Sequence, residues 1–234
     1  MWIRMPHGPT IQQMFAKVAP GYDRANRVLS LGVDQWWRRR AVAVAAVQPG
    51  ERVLDVCAGT GDLTLLLARA GAQVIGADFC VPMLTRACSK AGGRGARPWF
   101  VGADALALPF AAARFDVATV AFGIRNVADP VAGLAELARV VRPGGRVIVL
   151  EFCRPRVPVL GSAYLFYFRR VLPTLGRLVA GVDAGPYQYL PDSVLAFPER
   201  EAFQELMVRA GLLRPTVHLL SGGIAAIYRA EVPA

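Results

Sequence analysis

Lysine is almost missing from this chain: its 234 residues hold two, Lys17 and Lys90, against 25 arginines. The resulting formal charge of +10 would suit an anionic partner such as nucleic acid, a membrane surface or a charged cofactor. A GC-rich coding sequence produces the same arginine bias, so no nucleic-acid partner is expected. Cysteine is scarce too. Cys57, Cys80, Cys88 and Cys153 stand 23, 8 and 65 residues apart, which leaves no CxxC pair to hold zinc or exchange thiols. Four buried thiols in a reducing cytosol and no metal are the expectation. The two histidines, His7 and His218, lie outside every motif, so a histidine base is not expected. No apolar run approaches the roughly 20 residues that span a bilayer, and MWIRMPHGPT has no signal-peptide core. A cytoplasmic protein follows, one that meets a membrane only peripherally.

What the chain does have is apolar residues, 54% of the total, and 23 glycines, enough to fill the core of one unit spanning 1–234. From residue 51 strand-like and helix-like segments alternate: ERVLDVCAG, DLTLLLARAG, AQVIGAD, VPMLTRACSKAGG, RPWFVGAD, FDVATVAFG and GRVIVLEF, the last after an RPGG turn. Asp129 and Pro130 read as the N-cap and first residue of a helix whose apolar face is Val131, Leu134, Ala135, Ala138 and Val141. LRPTVHLL and IAAIYRAEV, joined by SGG, read as a closing antiparallel hairpin. The pattern predicts an α/β, Rossmann-like fold with a mostly parallel sheet. Residues 10–47 read as a helical cap, and 157–182 as a helical insert with three arginines and no acid ahead of the last helix, near EREAFQELMVRAG.

VLDVCAGTGDLT is a strand, a glycine turn and a helix start, where backbone N–H groups face a ligand. Gly59 and Gly61 allow close approach, and Asp78, 19 residues after Gly59, can accept hydrogen bonds from a ribose diol. A dinucleotide site uses the same spacing. Here Thr64 replaces the third glycine, and Asp55 beside the loop would repel a pyrophosphate while suiting an ammonium. The combination points to S-adenosylmethionine, which has ribose, ammonium and carboxylate but no phosphate. Asp104 and Ala105, after the third strand, would meet the adenine.

AFGIRNVADP ends the fourth strand, where a methyl acceptor would lie. It contains no Asn/Asp-Pro-Pro-aromatic motif for a nitrogen acceptor and no cysteine for covalent attack on a pyrimidine. It offers Arg125 and Asn126. A guanidinium stabilises an oxyanion but takes no proton, which suits a phenol or hydroquinone attacking through a ring carbon. The opposite charges disappear in the transfer, so a water-poor cavity favours it.

FAKVAPGYDRANRVLSLGVDQWWRR, VLDVCAGTGDLT, LPFAAARFDVATVAFGIRNV, RVVRPGGRVIVLEFCRP and YQYLPDSVLAFPEREAF with LSGGIAAIYRA together resemble the ubiquinone/menaquinone biosynthesis C-methyltransferases, from Phe15 onward. The resemblance implies a class I S-adenosylmethionine fold with a seven-stranded sheet, methylating a ring carbon of a polyprenylated quinol such as demethylmenaquinol. It implies cofactor contacts at Thr60, Asp78, Asp104, Ala105 and Ala121, where relatives often carry serine. It implies ring recognition by Tyr22, Asp23, Asn26, Arg125 and Asn126, with Asp23 or water taking the hydroxyl proton. The insert would line a tunnel for the isoprenoid tail, with Arg169, Arg170 and Arg177 toward lipid headgroups. A homodimer is compatible with this reading. A benzoquinol acceptor, an RNA methyltransferase and a non-catalytic cofactor-binding scaffold are its alternatives.

Overall fold

The computed structural model describes residues 8–92, 97–157 and 185–234, with isolated positions 161, 164, 166, 167 and 170. Three helices, α1 (Gly8–Val18), α2 (Tyr22–Leu29) and α3 (Val33–Ala45), precede the first strand. Then follow β1 (Arg52–Val56), α4 (Asp62–Arg69), β2 (Gln73–Asp78), α5 (Val81–Lys90), β3 (Trp99–Gly102), β4 (Phe115–Ala121), α6 (Pro130–Val140) and β5 (Val141–Phe152). The chain closes with α7 (Gly185–Ala196), α8 (Glu201–Arg209), β6 (Leu213–Leu220) and β7 (Ala225–Glu231). The expected insert falls mostly outside the described residues, and Arg169 and Arg177 with it.

The seven strands are ordered β3-β2-β1-β4-β5-β7-β6. All neighbours from β3 to β5 are parallel, and β7 pairs antiparallel with both β5 and β6, as the apolar runs and the SGG turn predict. Alternation along each strand divides the core. Leu54, Val56, Val147 and Val149 pack with α6 and α8 through Leu134, Leu137, Phe203 and Met207. Val53, Val117, Ile148 and Leu150 face the other way, onto Trp37 and Ala41 of α3 and Leu63 and Leu67 of α4. Burying each such side chain contributes about 1.5–3 kcal/mol, so the two layers fix the register that sets which strand ends meet. Strand order reverses between β1 and β4, and that carboxyl-end crevice is where open α/β sheets bind ligands.

Some expectations need correction. Asp129 does cap α6, accepting from Val131 N and Ala132 N at 2.9 and 3.0 Å, but the buried face is Gly133, Leu134, Leu137 and Val140, with Ala135 exposed. The bulkier Leu137 and Val140 win the interior over alanine. The RPGG segment is not a turn ahead of β5: it lies within it, where the register opposite β4 shifts between Phe115 and Val117. Only Cys80 and Cys153 are buried; Cys57 is half-buried and Cys88, on the outer side of α5, is exposed. Among the described residues no helix is long and apolar enough to cross a membrane.

Candidate active site

Four parallel strand ends build the site. β1 runs into Cys57 and Gly59, β2 ends at Asp78, β4 at Ala121, and β5 at Glu151 and Phe152. The turn after β1 needs left-handed backbone at its last step: Gly61, at φ 78°, caps α4, a conformation glycine reaches without Cβ strain. The turn after β4 presses against it. A Cβ on Gly123 would sit 2.3 Å from the Cβ of Cys57, so only glycine lets the two turns close.

Asp78 ties the turn after β1 to the turn after β2. Gly59 N donates to its Oδ2 and Cys80 N to its Oδ1, each at 2.8 Å. Burial pushes its pKa above the usual carboxylate range, against the pull of these N–H groups. Its side chain borders a cavity of about 60 Å³ lined also by Phe15, Tyr22, Cys57, Ala121 and Asn126. Asn126 Oδ1 is buried without a hydrogen-bond partner among the described residues, and no lysine or arginine contributes to the described lining. A carboxylate, a free amide oxygen and no fixed cation fit S-adenosylmethionine, with its ribose hydroxyls and ammonium, and do not fit a pyrophosphate.

A second cavity, of about 120 Å³, adjoins the first, sharing Phe15, Tyr22 and Phe122 as its wall. Asn26, Asp34, Trp37, Arg38, Arg125, Phe152, Tyr167 and Tyr189 complete much of it. Phe122 and Phe152 lie 4.5 Å apart, centroid to centroid. Arg38 stands over Phe122 at 5.1 Å and Arg125 over Phe152 at 5.4 Å, so a guanidinium brackets each end of the aromatic pair. Both are buried, and the Nε of each has no hydrogen-bond partner among the described residues. Arg125 Nη1 holds both oxygens of Glu151, at 3.1 and 3.0 Å. The Tyr22 phenol is pushed up by burial, partly countered by a hydrogen bond with Asn26 and by the charges of Arg38 and Arg125.

The structure therefore brings Tyr22, Gly59, Asp78, Ala121 and Asn126 to one cavity and Tyr22, Asn26 and Arg125 to the other. It places the remaining expected residues elsewhere. Asp23 lies outside both described linings and is paired with Lys90 Nζ at 2.8 Å; a carboxylate held by an ammonium on the far side of α2 is badly placed as a base. Thr60 donates its hydroxyl to that same Asp23. Asp104 is exposed and caps its own loop through Leu106 N at 2.9 Å, while Ala105 packs in the core. Asp55 sits beneath the glycine turn instead of beside a ligand, with Thr64 Oγ1 donating to one oxygen at 2.5 Å and Thr119 Oγ1 to the other at 2.7 Å.

Asp34, Arg38, Glu151 and the Phe122–Phe152 pair are site residues that the sequence reading does not pick out. Glu151 carries the one available signal, a lone charge closing the apolar run VIVLEF.

Burial pushes the Asp55 pKa up to about 6, against its two threonine hydrogen bonds. Its folded pKa lies above the unfolded one, so its stability contribution is complete at low pH and is lost as pH rises from about 4 to about 6. The loss should reach about 3 kcal/mol. Urea unfolding of the wild type and of Asp55→Asn across this window should show the difference between them changing by that amount, the variant staying flatter.

Strand order, a phosphate-averse carboxylate cavity at the switch point and an adjoining aromatic cavity define an S-adenosylmethionine-dependent methyltransferase of class I. The chain belongs to the ubiE/COQ5 methyltransferase family, whose model matches residues 6–231. It is 50% identical over 222 residues to the demethylmenaquinone methyltransferase of Thermus thermophilus, covering 94% of this chain and 100% of that protein. It is 45% identical to the ubiquinone/menaquinone biosynthesis C-methyltransferase UbiE of Bdellovibrio bacteriovorus, covering 97% of each. Among solved structures, an S-adenosylmethionine-dependent methyltransferase of Thermotoga maritima shares the fold with a TM-score of 0.66 at 20% identity, over 94% of this chain and 98% of that one.

Proposed function

We propose that this chain methylates a ring carbon of demethylmenaquinol, the activity for which its Thermus relative is named. The observation that carries the reading is Arg125: a buried guanidinium with a free Nε, in an aromatic cavity that shares its wall with the Asp78 cavity. Gly59, Asp78, Ala121 and Asn126 would hold S-adenosylmethionine, which supplies a methyl group on a positively charged sulfur. Phe122, Phe152, Tyr167 and Tyr189 would enclose the acceptor ring and exclude water. Arg125, oriented by Glu151, stabilises the ring oxyanion, whose electron density moves to the adjacent carbon. Tyr22, held by Asn26, sits in the wall between the two ligands.

Peripheral membrane contact through 157–182 belongs to the same proposal; Phe166, 65% exposed, supports it. The test is direct: purified protein, S-adenosylmethionine and a short-tailed demethylated naphthoquinol kept reduced should give the ring-methylated product by mass spectrometry. Label appearing in RNA and not in the organic extract would overturn the reading.

A further inference from the structure

The ring hydroxyl must lose a proton before its oxygen can push density into the ring, and Arg125 cannot take it. Asp34 is the only carboxylate in the described lining of the aromatic cavity. It is 5% exposed and held mainly by neutral donors: Ser30 Oγ at 2.8 Å and Gln35 Nε2 at 3.1 Å. Its nearest cation, Arg38 Nε, stands 3.8 Å away, beyond hydrogen-bond reach.

The other acids are committed elsewhere. Glu151 is clamped by Arg125 and by Phe152 N, Asp23 is paired with Lys90, and Asp55 lies beneath the glycine turn, outside the described lining of both cavities. Burial raises the Tyr22, Tyr167 and Tyr189 phenols, which keeps them protonated. His218 is exposed on the edge strand β6.

We infer that Asp34 is the base that takes the hydroxyl proton of the acceptor. This rests on the acceptor being a hydroxylated ring. The O–H bond breaks, its proton passes to a carboxylate oxygen of Asp34 and its electron pair stays on oxygen, opposite Arg125. The ring carbon beside that oxygen forms the bond to the methyl, and the carbon–sulfur bond breaks with its pair left on sulfur. The same ring carbon then loses its hydrogen to water as the ring regains aromaticity, and Asp34 returns its proton to the oxygen. One proton is released overall.

The groups facing Asp34 are Ser30 at the end of α2, Gln35 and Arg38 on α3, and Asp62 of α4, which shares the Gln35 amide at 3.1 Å. Tyr22, Asn26, Arg125, Tyr167 and Tyr189 complete the surroundings across the cavity. Arg38 would favour the oxyanion once the proton has moved.

The experiment compares wild type, Asp34→Asn and Asp34→Glu from pH 5.5 to 10, with a short-tailed demethylated naphthoquinol and with an analogue whose hydroxyl is acidified by a neighbouring halogen. Asp34→Asn should lose about 10²–10³-fold in kcat at neutral pH, with the acceptor KM changed only a few-fold. The loss should shrink as pH rises and should nearly vanish with the acidified analogue, which arrives ionised, while Asp34→Glu recovers part of the rate. An equal loss at every pH and with both acceptors, or no loss, overturns the assignment and makes Asp34 a brace for Arg38.

Should Asp34→Asn fail to fold, wild type alone decides. With the ordinary acceptor a base gives a plateau in kcat above neutral pH, whereas a tenfold rise per pH unit up to the acceptor's own ionisation overturns the proposal. A wild type that methylates neither acceptor removes the functional reading and this inference together.

Discussion

Arg125→Leu should lower kcat by roughly 10²-fold or more while cofactor affinity changes little. On the proposed mechanism the guanidinium would act on charge that appears only as the ring hydroxyl ionises, so its removal would fall on turnover. A second consequence comes from Glu151, which is 2% exposed and whose side-chain charge partner is Arg125. Leucine at 125 strands that carboxylate, a change that costs about 3–5 kcal/mol when one half of a buried pair is removed. Three measurements separate the effects: kcat with a saturating quinol, calorimetric affinity for the cofactor, and the unfolding midpoint. The double variant Arg125→Leu with Glu151→Leu should regain much of the lost stability and none of the turnover. Equal losses of cofactor affinity and kcat would instead make Arg125 a structural residue.

Asp78→Ala should weaken cofactor binding by about 10²-fold, with kcat at saturation reduced less than tenfold. The carboxylate would accept the ribose hydroxyls, and it also holds Gly59 N and Cys80 N at 2.8 Å. Alanine removes the ligand contact and releases the two turns at once. Asp78→Asn keeps one acceptor oxygen and should lose less. Calorimetric titration with S-adenosylmethionine checks both, and an unchanged affinity for Asp78→Ala would place the ribose elsewhere in the crevice.

Legibility in the sequence followed the range of the interaction. Each strand was readable because its signal is a short apolar run, and the glycine turn because strand, turn and helix start are contiguous in VLDVCAGTGDLT. Arg125 was readable as a cation closing such a run. Its partner Glu151 lies 26 residues away on the next strand, and their pairing depends on the β4–β5 register. Asp34 and Arg38 stand in no chemical motif of the sequence; only the packing of α3 against Phe122 and Phe152 turns them inward. The misplacement of Asp23 has the same origin. Tyr22 and Asp23 are neighbours, but successive residues on a helix do not share a face, so the one in the cavity sends the other toward Lys90.

Phe15, Tyr22 and Phe122 border both cavities, so neither ligand has a partition to itself. Under the proposed assignment, a displacement of those three rings by one guest would change the wall that the second one meets. Thermodynamic linkage then demands symmetry: the factor by which bound quinol alters the grip on the sulfonium compound equals the factor by which that compound alters the grip on quinol.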